Sequence, residues 1–207
     1  HEVNDQEVRE IGRCFIVKSA VADSPETMRE GRFEIESRTG HSTSVDEPHS
    51  PAPNDFYETF YASGGWKYSF WREYRWHRKQ VVKRFGLRRG MRLLEAACGT
   101  GFHTNLFTWM GFECVGLDRS PVGIDQAQRQ YPRRRFLCAD ACTSMPLLED
   151  NFDVVLTRGC SSYHYNLMDP TAMETTRCLM RFLVPGGRFV LIIVSDLSGR
   201  REPDKVW

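Results

Sequence analysis

The 207-residue chain is long enough to bury one good core and too short for two domains of ordinary size. Its formal net charge of +1 gives no whole-molecule attraction to polyanions, and no apolar run reaches the roughly 20 residues of a membrane span, so no membrane partner is expected. Seven cysteines, an odd number without a Cys-x-x-Cys pair, point away from a disulfide framework and from a zinc knuckle, so no metal is expected and a reducing, cytoplasmic setting fits best.

Residues 1–54 are polar, and Arg38 to Asn54 is rich in Ser, Thr, Pro and His, a composition that predicts a poorly ordered arm. Within it, Arg13 to Lys18 and Arg32 to Glu36 are candidates for a pair of strands. The chain opens on His1 rather than Met, which reads as a trimmed or processed start, and the N-terminal residues lack the pattern of a signal peptide.

Residues 55–90 form an aromatic and basic helical cap. Tyr57 and Tyr61 share helical spacing, as do Trp71 and Tyr74, and Gly64-Gly65 divides the segment into two helices, the second expected from Lys67 to Phe85 with a stop at Gly86. Aromatics at these intervals either seal a helix onto a sheet or, at Tyr57, Tyr61 and Trp66, form a lid whose ring faces hold a cation and exclude water. The basic stretch that runs on to Arg133-Arg134-Arg135 reads as a solvated face, with an anion- or nucleic-acid-binding surface as the alternative.

From residue 91 to 207 strands and helices alternate. Strands are expected at Met91–Ala97, Phe112–Leu117, Phe136–Ala139, Phe152–Thr157 and Arg188–Val194. Helices are expected at Thr104–Met110, after Ser120-Pro121, where Ser caps and Pro takes the first turn, and at Pro170–Phe182. Near-continuous apolar strands separated by helices predict an α/β fold, a three-layer sandwich around a mostly parallel sheet.

In such a sheet the ligand lies outside the carboxyl ends of the strands. Four features fall there: the turn from Glu95 to Gly101, Asp118, Asp140 with Ala141, and Thr157-Arg158-Gly159. A turn of small residues lets a ligand approach backbone, and a carboxylate such as Asp118 can accept both hydroxyls of a ribose. Glu95 would repel a pyrophosphate but suits a ligand carrying an ammonium group. Each feature alone is weak, and an acid such as Asp140 is often only a cap; four in register are strong.

These residues carry a resemblance. Leu93-Leu94-Glu95-Ala96-Ala97-Cys98-Gly99-Thr100-Gly101 resembles the first motif of class I S-adenosylmethionine-dependent methyltransferases, Cys114-Val115-Gly116-Leu117-Asp118 the second and Cys138-Ala139-Asp140-Ala141 the third. Phe152-Asp153-Val154-Val155 and Leu183-Val184-Pro185-Gly186-Gly187-Arg188-Phe189 are similar to the fourth-strand signature and the turn into the fifth strand. The resemblance implies a Rossmann-like sheet of order 3-2-1-4-5 with the family's last two strands missing, so that either the chain is truncated at its C-terminus or its fifth strand is an apolar edge that needs a partner. It implies S-adenosyl-L-methionine as cofactor, with Glu95 toward the methionine end, Ala97, Gly99, Thr100 and Gly101 along the turn and Asp118 on the ribose. Arg119 would flank the adenine, Asp140 and the Ala141 N–H would meet its edge, and Thr157, Tyr57 and Tyr61 complete the surround. Ala97 stands where the family has its first glycine, which is tolerable at negative φ.

A dinucleotide dehydrogenase fits less well, because the third glycine of its turn is here Thr104 and Glu95 opposes a pyrophosphate. A methyltransferase needs mainly orientation and exclusion of water, and a general base only for some acceptors; His164, in the loop after the fourth strand, is the candidate. His103 reads as a first-turn helix residue. The expected acceptor is a small molecule, with RNA as the alternative and a non-catalytic cofactor-binding scaffold as a third reading. The strongly apolar fifth strand is expected to leave an exposed edge through which copies associate.

Overall fold

The computed structural model describes residues 14–21, 54–163 and 169–195; the expected strand Arg32–Glu36 and His164 lie outside them. Six strands form one sheet: β1 (Cys14–Val21), β2 (Arg92–Ala96), β3 (Glu113–Asp118), β4 (Arg135–Cys138), β5 (Phe152–Arg158) and β6 (Leu183–Ser195). Their spatial order is β1-β6-β5-β2-β3-β4. The five strands β2 to β6 run parallel, and counted among themselves they follow the order 3-2-1-4-5 expected from the sequence.

The sixth strand corrects an expectation. β1 falls in the segment read as a poorly ordered arm, where Arg13 to Lys18 is a candidate strand, and pairs antiparallel with β6 from Cys14↔Ser195 to Val21↔Arg188. The edge of the fifth parallel strand is therefore occupied by the chain's own backbone, and the route to oligomerisation through an open edge loses its basis.

Alternation along the strands builds the three layers. Leu93, Val154, Leu156, Val190 and Ile192 face one side and bury Val81, Phe107 and Phe112. Leu94, Val155, Phe189 and Leu191 face the other and bury Ala172, Leu179 and Phe182. Helix α1 spans Asn54–Ala62, α2 Phe70–His77, α3 Phe102–Trp109, α4 Pro121–Gln130 and α5 Pro170–Met180. The helix expected over 67–85 is shorter, because α2 passes at Arg78 into one π-helical stretch, Arg78–Lys83. Helix α4 begins as anticipated, with Ser120 Oγ accepting from the Gly123 N–H at 2.9 Å and Pro121 in the first turn. Asp169 does the same for α5, accepting from the Thr171 N–H at 2.8 Å.

Cysteine usage differs from the sequence reading. Cys142 and Cys178 are disulfide-bonded with Cα atoms 4.9 Å apart, where the odd count argued against pairing. The partners are separated by 36 residues and lie on different elements, so no local spacing marks them. Cys98, Cys114, Cys138 and Cys160 are free. None of the described helices is long and apolar enough to cross a membrane.

Candidate functional site

The turn that follows β2 is built on left-handed backbone. Gly99 has φ +51° and Gly101 φ +79°, and a Cβ on Gly101 would stand 2.6 Å from the Phe136 ring, so only glycine fits. Ala97 also has φ 59°. This overturns the expectation of a negative φ there: the turn keeps the geometry of its missing glycine and imposes on an alanine a conformation that costs about 1–2 kcal/mol.

Asp118, ending β3, holds the turn in place. Its Oδ2 accepts from the Gly99 N–H at 2.7 Å and its Oδ1 from the Ser120 N–H at 2.9 Å, so one carboxylate joins the tip of the turn to the start of α4. Burial raises the Asp118 pKa, opposed by these two hydrogen bonds. Glu95 lies beneath the same turn, 2% exposed. Burial pushes its carboxyl up to about 8, opposed chiefly by the hydrogen bond that Thr104 Oγ1 donates to Glu95 Oε2. Thr104, which sits where a dinucleotide turn would have its third glycine, is thus the residue that ties Glu95 to α3.

Helix α1 lies across this face. A Cβ placed on Gly99 would be 2.9 Å from Tyr61 Oη, and one on Gly123 would be 3.0 Å from the Tyr61 ring, so Tyr61 fills the space between the turn and α4. Gln126 Nε2 donates to the Tyr61 carbonyl and the Val122 N–H donates to Glu58 Oε2 at 3.3 Å. Tyr57 is half-buried and lies close to Ser161, Arg119 and Asp118. Trp66 takes a different place: it packs on Phe60 with ring centroids 5.0 Å apart and is 44% exposed.

The structure brings together Glu95, Ala97, Gly99, Thr100, Gly101, Asp118, Tyr57 and Tyr61. Arg119 is exposed beside them. Asp140 is exposed and its Oδ1 accepts from the Cys142 N–H at 2.8 Å, the turn-capping geometry that an acid at a strand end often adopts. Ala141 is half-buried, with its carbonyl accepting from Arg181 Nη2 at 3.3 Å. Thr157 is buried and its hydroxyl has no hydrogen bond.

Beside Glu95 lies a buried polar cluster that the sequence reading missed. Glu73 of α2 pairs with Arg158 at the end of β5, with Oε2 and Nη1 2.9 Å apart. Arg158 also contacts His103 Nε2 and lies 5.2 Å from the centre of the Tyr68 ring. His103 Nδ1 is 3.8 Å from Glu95 Oε1, which links the cluster to the turn. His77 Nδ1 donates to the Glu73 carbonyl at 2.9 Å, leaving its Nε2 buried without a partner. Burial holds both histidines well below their usual pKa, helped by Arg158, so both are neutral. Glu73, His77 and His103 bring ligand-type atoms within 4.8 Å of one another, but the guanidinium already neutralises the carboxylate. One sequence signal pointed here: Glu73 is the single acid between Lys67 and Arg92, among ten Lys and Arg.

A shallow groove of about 220 Å³ lined by Asn105, Tyr131, Arg133 and Arg134 lies by the amino end of β4, away from these strand ends.

Residues 93–187 match the family described as a methyltransferase domain. The chain is 31% identical over 117 residues to a demethylmenaquinone methyltransferase of Renibacterium salmoninarum, covering 56% of this chain and 46% of the relative. It is 28% identical to an uncharacterised methyltransferase of Schizosaccharomyces pombe, covering 60% and 48%. It thus spans about half the length of the curated relatives it matches. The crystal structure of the PH0226 protein from Pyrococcus horikoshii superimposes with a TM-score of 0.51 at 23% identity, over 61% of this chain and 59% of that one, and shares the fold. The strand order and the matched span of sequence agree: residues 93–187 are similar to a methyltransferase domain, and the sheet that carries them has the Rossmann-like order 3-2-1-4-5.

Proposed function

We propose that this domain binds S-adenosyl-L-methionine between the glycine turn and α1 and transfers its methyl group to a small-molecule acceptor. The observation that carries the reading is the pairing of Asp118 and Glu95 around one turn. Asp118 is braced by backbone N–H groups so that its remaining lone pairs serve a ribose. Glu95, tied down by Thr104 and held as the neutral acid by burial, becomes the counter-ion of an ammonium group that reaches it.

Bound cofactor supplies a sulfonium methyl group already activated for in-line displacement. The chain's own residues position and enclose it. Ala97, Thr100 and the two glycines keep side chains off the backbone face, Arg119, Asp140 and Ala141 meet the adenine, and Thr157 offers an unused hydroxyl. Tyr57 and Tyr61 shut out water. Because Tyr61 rests against the turn, α1 has to lift for the cofactor to enter. His164 is the candidate base where the acceptor needs one. The curated relative named for demethylmenaquinone favours a small acceptor over RNA. Cytoplasmic residence belongs to the same reading and fits the free thiols of Cys98, Cys114, Cys138 and Cys160; the Cys142–Cys178 bond would be reduced there.

The test is transfer of isotopically labelled methyl from S-adenosylmethionine into a panel of phenols, quinols, amines and thiols, with an RNA pool alongside. Label in a small molecule supports the proposal and label in RNA overturns the acceptor class. Tight cofactor binding with no transfer to any acceptor identifies a scaffold. Tyr57→Ala is expected to weaken cofactor binding clearly; an unchanged dissociation constant removes the lid.

A further inference from the structure

Outside the cofactor cleft, α2 and α3 display an aromatic knob. Phe70, Trp71 and Tyr74 of α2 pack edge-to-face on Trp109 of α3, with ring centroids 5.3 to 5.7 Å apart and planes 87° to 90° from parallel. Trp71 and Trp109 are nevertheless 60% and 51% exposed. Two half-exposed indoles side by side cost solvation that a purely structural contact would avoid, and such patches mark interaction sites.

Among the described residues, the exposed charges along α2 and the π-helical stretch after it are of one sign. Arg75 lies one helical turn from Trp71 and Arg78 one turn from Tyr74, and Arg72, Arg75, Arg78 and Lys79 are all exposed. Glu73, the single acid in the stretch, points inward and is consumed by Arg158. The partner this surface complements is anionic and has an apolar layer beneath its charge.

We propose that the Trp71–Trp109 face is a docking surface for an anionic phospholipid membrane, with the indoles at the headgroup level and the surrounding Arg and Lys on lipid phosphates. Indoles at the boundary between polar and apolar layers, flanked by cations, are the recurring chemistry of such contacts. A nucleic acid is the less suitable polyanion, because the rings pack edge-to-face into one mass and leave no parallel slot for a base. The proposal revises the expectation of no membrane partner; lying on a membrane needs no spanning helix. The knob joins the site through Phe70, whose ring is 6.4 Å from that of Phe102 in the residue after Gly101, so docking would hold the α2–α3 side of the cleft near the lipid surface.

The experiment is co-sedimentation of the 207-residue chain with vesicles of phosphatidylcholine alone and of phosphatidylcholine with phosphatidylglycerol in equal parts. Binding to the anionic vesicles only is expected, weakening with added salt. Trp71→Ser/Trp109→Ser and, separately, Arg75→Glu/Arg78→Glu should each lower partitioning roughly tenfold or more. Binding of S-adenosylhomocysteine, read by calorimetry, stays unchanged in both, which keeps this outcome distinct from failure of the methyltransferase reading. If the tryptophan pair does not fold, the charge reversal alone carries the test. No binding to anionic vesicles at low salt overturns the proposal. So does tighter binding to an RNA oligonucleotide than to vesicles, or a dimer in solution that the tryptophan substitutions abolish.

Discussion

Replacing Glu95 by Gln tests the electrostatics of the glycine turn directly. The Glu95 side chain is almost fully buried, and its carboxyl is pushed from the ordinary 4.5 up to about 8, so folding favours the protonated acid. That contribution is fully present below the unfolded value, declines as pH rises, and is lost once pH passes the folded value of about 8. Each pH unit in the window is worth about 1.4 kcal/mol, or roughly 2.7 kcal/mol between about pH 5.5 and 7.5. Gln cannot ionise and still accepts from the Thr104 hydroxyl. Urea unfolding of both proteins across this range should show the stability of Glu95→Gln relative to wild type climbing by about 2–3 kcal/mol from about pH 5.5 to 7.5 and levelling off above about pH 8. Groups remote from Glu95 cancel in the difference, whereas Asp118 and His103, which lie beside it, broaden the window. A difference that stays flat with pH refutes the reasoning, because Glu95 would then ionise in the folded chain as it does in the unfolded one.

Three further outcomes follow from the same geometry. Cofactor binding near neutral pH should release close to one proton as an ammonium group draws Glu95 into its charged form; equal heats in buffers of different ionisation enthalpy would contradict this. Ala97→Gly should raise the melting temperature, because relief of about 1–2 kcal/mol at φ 59° exceeds the glycine's entropic cost of about 0.5–1 kcal/mol; a lower melting temperature would contradict it. Arg158→Met alone should destabilise by about 3 kcal/mol, since it strands the Glu73 carboxylate in a site where the pair is only about a tenth exposed. Glu73→Leu/Arg158→Met should regain most of that loss in chemical denaturation, and a double variant no more stable than the single one would count against a simple ion pair.

The sequence carried the sheet because near-continuous apolar runs bounded by turn residues are local signals: β2, β3 and β5 fall within two residues of expectation. It carried Glu95 and Asp118 because strand ends in a parallel sheet all open on one side. It was silent on the Glu73–Arg158 pair, whose partners are 85 residues apart and are joined only when α2 packs beside β5. The pairing of β1 with β6 was equally hidden, since an isolated strand-like run does not declare its partner. Thr104 shows a subtler limit: it was legible as a departure from the dinucleotide pattern, while its bond to Glu95 needed the fold. The sign of φ at Ala97 was misjudged because the turn, braced through Gly99 and Asp118, dictates the backbone whatever residue stands there.

The Glu95–Gly101 turn and Asp118 are the proposed site for S-adenosylmethionine. Calorimetry of the 207-residue chain with S-adenosylmethionine, S-adenosylhomocysteine and NAD, repeated on Asp118→Ala, measures it. Both adenosyl compounds should bind wild type and NAD should not, and Asp118→Ala should lose at least tenfold in affinity, about 1.4 kcal/mol, with the removal of the ribose contact. Binding of NAD as tight as that of S-adenosylhomocysteine, or an affinity indifferent to Asp118, would contradict it.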